Sequence, residues 1–207
     1  ARAGGGVYAY KDYARGNWFV DCSFENCRAV QGAAMYNCTA VRTYFRNNWV
    51  GCNFSGPWVC GGATRGSSHY FCVFTGNGGE GLLAYHSQVR NCTFFGNSAR
   101  SFHANNATDN VYNCVVEGLR NFSTATSFAA LPGQQTDTVK GEVGLLLDPI
   151  SGNGRLVSSS KALGIAKPEY LTGVITNPDY YSKEDYYVVR TGAYGIDNDM
   201  FKSMFAV

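Results

Sequence analysis

Val89-Arg90-Asn91-Cys92-Thr93-Phe94-Phe95-Gly96-Asn97 is the stretch whose reading decides the fold. A cysteine and an aromatic two residues apart, closed by Gly-Asn, read as a short strand running into a turn. The same phrase occurs at Val20-Asp21-Cys22-Ser23-Phe24-Glu25-Asn26, at Val50-Gly51-Cys52-Asn53-Phe54-Ser55-Gly56 and at Phe71-Cys72-Val73-Phe74-Thr75-Gly76-Asn77. A weaker copy runs from Val111 to Gly118 around Cys114. The in-phase cysteines fall at 22, 52, 72, 92 and 114, at spacings of 30, 20, 20 and 22. Repeats of that length are stacked units, each unable to bury its apolar face without its neighbour.

The unit is strand-like, since no window sustains a helical period and Gly, Asn and Ser bound each run. A second phrase precedes the cysteine phrase: Gly5-Gly6-Val7-Tyr8, Gly32-Ala33-Ala34-Met35-Tyr36, Gly61-Gly62-Ala63-Thr64 and Glu80-Gly81-Leu82-Leu83-Ala84-Tyr85. Two or three short strands per turn predict an all-β chain, a right-handed parallel β-helix of about five coils. Cysteine and aromatic point to one side of the strand. Stacking in register therefore predicts an interior ladder of Cys22, Cys52, Cys72, Cys92 and Cys114 beside Phe24, Phe54, Phe74 and Phe94. Free cysteine packs there as a small hydrophobe. Arg90, two positions before its cysteine, does not suit a core, so the strand is expected to bend or emerge there.

The paired phrases resemble the GGA and FxxN repeats of polymorphic outer-membrane proteins and related pectin-lyase-like β-helices. Gly61-Gly62-Ala63-Thr64 approximates the first; Phe45 to Asn48, Phe74 to Asn77 and Phe94 to Asn97 match the second. The resemblance covers Gly4 to Gly118 and implies the fold; that fold carries lyases, hydrolases, adhesins and inert stalks alike. Asp148-Pro149, Gly152 to Leu156 and Ser160 to Gly164 resemble a passage that closes such repeat domains in secreted bacterial proteins. The division expected is repeats over residues 1–118, then a last irregular coil or coils and a C-terminal capping or lateral segment over 119–207.

Composition narrows the partners. Net charge is +2, with 15% charged residues and 25 glycines among 207. So small a charge argues against a nucleic-acid binder. No run of apolar residues is long enough for a transmembrane segment. The chain opens on Ala1 and enters a coil phrase at once, which suggests a removed targeting segment or a longer precursor. A secreted or cell-surface, extracellular location is expected.

Cys27, Cys38 and Cys60 lie outside the ladder phase and are the disulfide candidates, while no spacing makes a zinc site. No metal and no cofactor are expected. Lys11 to Asn17 and Thr39 to Asn47 read as loops leaving the coil, with Trp18 and Tyr44 as aromatic sugar contacts. His69, His86 and His103 drift around the coil and are expected at the surface. Arg65 with His69, and His86 with Tyr85, are the polar pairs for ligand contact. Asn106 and Asn121 are the acceptor triplets for glycosylation.

No catalytic residue is assigned, because coil carboxylates are scarce and no paired carboxylates of a hydrolase appear. Two readings of function stand. One is a structural, self-assembling or adhesive surface protein, with self-association or glycans as partners. The other is a carbohydrate-active enzyme, a polysaccharide lyase or glycoside hydrolase with Arg65, His69 and His86 lining a groove, or a non-catalytic glycan-binding module.

Overall fold

Short strands of two to five residues recur in fixed order, and residues with positive φ stand at many of the corners between them. The computed structural model describes residues 4–9, 17–50, 63–78, 80–84, 88–97, 100–104, 110–117, 134–136, 139–142, 146–148, 153–157 and 159. The first coil carries β1 (Val7–Tyr8), β2 (Trp18–Val20), β3 (Ser23–Glu25) and β4 (Arg28–Ala29). The second repeats them as β5 (Met35–Tyr36), β6 (Thr39–Val41), β7 (Tyr44–Arg46) and β8 (Trp49–Val50). The third has β9 (Thr64–Arg65), β10 (Ser68–Tyr70) and β11 (Val73–Thr75); the fourth, β12 (Glu80–Ala84), β13 (Gln88–Arg90) and β14 (Thr93–Phe95). The fifth has β15 (Arg100–Ala104), β16 (Asn110–Tyr112) and β17 (Val115–Glu117). Beyond residue 118, β18 (Gln134–Thr136) and β19 (Val139–Glu142) pair in parallel with β16 and β17 and continue the stack. An antiparallel pair follows, β20 (Leu146–Asp148) with β21 (Asn153–Leu156).

Corresponding strands pair in parallel to build a first sheet (β1-β5-β9-β12-β15), a second (β2-β6-β10-β13-β16-β18), a third (β3-β7-β11-β14-β17-β19) and a short fourth (β4-β8). The chain is a right-handed parallel β-helix.

The corners explain the sequence pattern. At eleven corners the residue after the strand takes a left-handed backbone: Asn37 and Gly66 after the first sheet, Asp21, Arg42, Phe71, Asn91 and Asn113 after the second, Asn26, Asn47, Gly76 and Gly96 after the third. Asn and Gly tolerate that conformation best. The next residue turns inward and caps a backbone carbonyl. The Cys72, Cys92 and Cys114 thiols donate to the carbonyls of Tyr70, Arg90 and Tyr112 at 3.3, 3.3 and 3.2 Å. Thr43 does the same to Val41 at 3.1 Å and Ser67 to Arg65 at 3.0 Å. A short side chain with one donor is what the corner needs, whether thiol or hydroxyl.

That equivalence corrects the ladder. Registers Val20↔Val41↔Tyr70 and Phe24↔Phe45↔Phe74 leave Thr43, not Cys52, on the rung between Cys22 and Cys72. Phe45 likewise replaces Phe54 in the aromatic column. The segment read as a loop, Thr39 to Asn47, is regular coil, and Cys52 lies outside the described residues. Cys38 and Cys27 are also corner residues rather than disulfide partners. Both are free, and each donates to the carbonyl two residues back; Cys60 lies outside the described residues. Arg90 stays within β13, its guanidinium 5.4 Å from the Tyr112 ring centroid on the outward side.

Two columns hold the interior. Phe24, Phe45, Phe74 and Phe94 stack face to face, with centroids 5.5, 4.7 and 4.6 Å apart. Each such pair adds about 1 kcal/mol beyond the area it buries. At the corner after the third sheet, buried Asn48, Asn77 and Asn97 form an amide ladder. The Asn97 carbonyl oxygen accepts from the Asn77 amide N–H at 3.0 Å and from its side-chain nitrogen at 2.9 Å. Asn77 accepts from Asn48 in the same way at 3.0 and 3.1 Å. Every amide in the ladder is satisfied, so burying it is inexpensive.

Candidate functional site

Alternation along the first sheet decides what faces out. Met35 and Thr64 are buried, so their neighbours Tyr36 and Arg65, in register with Tyr8, stand on the outer side. Tyr8 is 48% exposed and its ring stacks on Tyr36 with centroids 5.1 Å apart. The Arg65 guanidinium lies over the other side of this pair, 5.7 Å from the Tyr36 centroid. The register runs on through Leu83 and His103. A stacked pair of phenols braced by a cation presents hydroxyl edges and guanidinium donors to water. Such a strip can hydrogen-bond hydroxyl-rich or anionic ligands without rearranging. The signal was present in sequence: Tyr8, Tyr36 and Arg65 hold the same place in three successive copies of the second phrase, yet only Arg65 was singled out.

The other nominated residues do not join it. His69 is fully buried, pointing into the coil edge-on to Phe45 and Phe74 with centroids 5.7 and 5.2 Å away. Neither ring nitrogen makes a hydrogen bond of normal geometry. Burial lowers its pKa to about 3, against a smaller upward pull from the Ser67 backbone. The expectation of a surface histidine beside Arg65 is therefore wrong: β10 alternates, and His69 takes the inward position held by Ala40 and Val89 on adjacent coils. A groove lined by Arg65 and His69 does not exist in this fold. Tyr44 is buried at 8% exposure, and burial, with Glu25 adding to it and Arg46 opposing, raises its phenol pKa. Trp18 is 50% exposed at the start of β2, on a different sheet from Arg65.

Tyr85, His86, Asn106 and Asn121 lie outside the described residues. Arg42, read as a loop cation, is a buried corner residue whose guanidinium clasps both carboxylate oxygens of Asp21. Among the described residues, no group of His, Cys, Asp and Glu side chains is arranged to hold a metal ion. Among the same residues, no helix is long and apolar enough to cross a membrane.

No family profile, curated protein or solved structure matches the chain.

Proposed function

We propose that the protein is an extracellular surface or appendage β-helix with a structural and adhesive role, a rigid post that displays side chains to glycans. The observation that carries this reading is the outward strip of Tyr8, Tyr36 and Arg65, held at fixed register on a scaffold whose own core does not need them. Ligand contacts placed on a rigid element lose little entropy on binding. Likeness of the repeat phrases to the GGA and FxxN repeats of polymorphic outer-membrane proteins supports the cell-surface location. The lyase alternative loses support, since one of its three groove residues, His69, is interior.

Retention on polysaccharide-coated beads tests the proposal. Tyr36→Ala with Arg65→Ala should abolish retention while leaving the thermal midpoint within a few degrees. Undiminished retention by the double variant would refute the role of the strip. Sedimentation of the wild type over a range of concentration tests self-association as the second mode of structural use.

A further inference from the structure

The fourth sheet carries an aromatic surface of a different kind. Trp49 begins β8, in register with Arg28 on one side and bridged to Gly78 on the other. Backbone bonds Trp49 N–H to Cys27 carbonyl, 2.9 Å, and Gly78 N–H to Asn48 carbonyl, 2.8 Å, fix the three rungs. Glycine at 78 leaves room for the indole: a Cβ there would meet its atoms Cε3, Cζ3 and Cδ2 at 1.9, 2.4 and 2.6 Å, so any side chain would displace the ring. The six-membered ring of Trp49 therefore lies down on the Gly78 backbone. Trp49 is nonetheless 53% exposed, so the opposite face of the indole is open to water. Arg28 is exposed one rung away, about 4.8 Å along the stack. Arg46, at the end of β7 around the corner, is exposed as well.

We infer that Trp49 is a stacking platform for an acidic pyranoside, with Arg28 contacting the sugar carboxylate. The inference rests on the adhesive reading above and adds a second site and a ligand class to it. A flat indole braced from beneath suits the C–H face of a sugar ring, which needs an immobile apolar partner. The brace matters because an unsupported exposed tryptophan would lose rotamer freedom on binding. Charge selects the sugar. Two of the exposed side chains around this corner, Arg28 and Arg46, are cationic beside the neutral Asn26 and Asn47, and a guanidinium pairs with a carboxylate through two parallel bonds. Glu25, the exposed acid nearest in register to Arg46, already accepts a hydrogen bond from Ser23 at 3.0 Å.

Methyl glucuronoside and methyl glucoside, which differ only at the carboxylate, are the probes, read by saturation-transfer NMR and tryptophan fluorescence. Wild type should bind the glucuronoside about fivefold more tightly than the glucoside, the preference shrinking at high salt. Trp49→Ala should weaken both by about tenfold or more. Gly78→Ala, which keeps the indole but lifts it from its seat, should do nearly the same. Arg28→Gln should remove the preference and leave glucoside binding unchanged. Unaltered binding by Trp49→Ala would overturn the platform, and an undiminished preference in Arg28→Gln would overturn the acidic selectivity. Bead retention separates this from the broader proposal. Retention on the beads of a wild type that binds neither monosaccharide probe sinks the platform alone. Failure of the wild type to bind bead or probe sinks both.

Discussion

Acid should destabilise this solenoid through the buried imidazole of His69. His69 sits between two phenylalanine rings with a folded-state pKa of about 3, against 6.5 for a free histidine. Because the folded value is depressed, the native state resists a proton that the unfolded chain accepts. Stability is full above pH 6.5 and falls as pH drops toward the folded value, at ~1.4 kcal/mol per unit. The loss is about 2 kcal/mol near pH 5 and about 4 kcal/mol by pH 3. Such sums are a large share of a typical total stability. Carboxylates titrate over part of the same range, so the measurement is a difference. Urea unfolding of wild type and His69→Val, followed from pH 7.5 to 4.5, gives two curves. Valine stands one coil away at position 89 in the same column, so the substitution suits the site. At neutral pH the two should be close, since the small cavity offsets relief of two unpaired ring nitrogens. Below pH 6.5 the variant should gain on wild type by about 2 kcal/mol at pH 5. A difference that stays flat over this range would refute the burial argument. So would an NMR titration in which all three imidazoles protonate near pH 6.5.

Other substitutions test the corners. Asn77→Ala should cost roughly 3–5 kcal/mol in a denaturant midpoint assay, since it orphans the Asn48 amide and the Phe45 carbonyl together. Thr43→Cys should be tolerated to within about 1 kcal/mol, whereas Thr43→Val, with the same shape and no donor, should cost about 1–2 kcal/mol. Gly76→Ala places a Cβ 2.4 Å from the Asn47 side-chain oxygen at φ +63, and its thermal midpoint should fall by the equivalent of about 1–2 kcal/mol. Cys92, whose pKa burial and the neighbouring thiols raise far above the usual thiol range, should resist maleimide until denaturant is added.

The fold was legible because a β-helix writes its geometry into spacing. Gly-rich first phrases mark β1, β5, β9 and β12, and the FxxN phrases mark the third sheet and its amide ladder, each in the place the sequence suggests. What failed was one rung. Matching on cysteine alone passed over Val41-Arg42-Thr43-Tyr44-Phe45-Arg46-Asn47, a full copy of the phrase, and chose the one around Cys52. The corner selects for a donor two residues beyond a carbonyl, a requirement that Thr43 meets as well as Cys72 does. Reading Cys, Ser and Thr as one class would have recovered the second coil. It would also have moved Arg42, Tyr44 and Phe45 from a supposed binding loop into the scaffold. His69 was misplaced for a related reason. Its position relative to the next cysteine is three residues back, the column of Phe19, Ala40 and Val89, and a polar residue in an interior column looks like an exception until the strand phase is fixed.

Legibility of the site differs in kind. Interior positions repeat because each must fit the rung above and below, so periodicity reports them. Outward positions answer only to solvent or to a ligand, so packing imposes no period on them. Tyr8, Tyr36 and Arg65 betray themselves by sharing a register that packing does not impose. Trp49 betrays itself through Gly78, a glycine kept free of a side chain where the backbone does not require one: its φ is not in the left-handed region, unlike Gly76 and Gly96. Among the contacts a side chain at this position would meet, the three nearest are all atoms of the indole. Two demands act on the same coil: the corners and ladders make the scaffold, and under the proposed adhesive role the outward Tyr8, Tyr36, Arg65 and Trp49 are the residues left for a ligand.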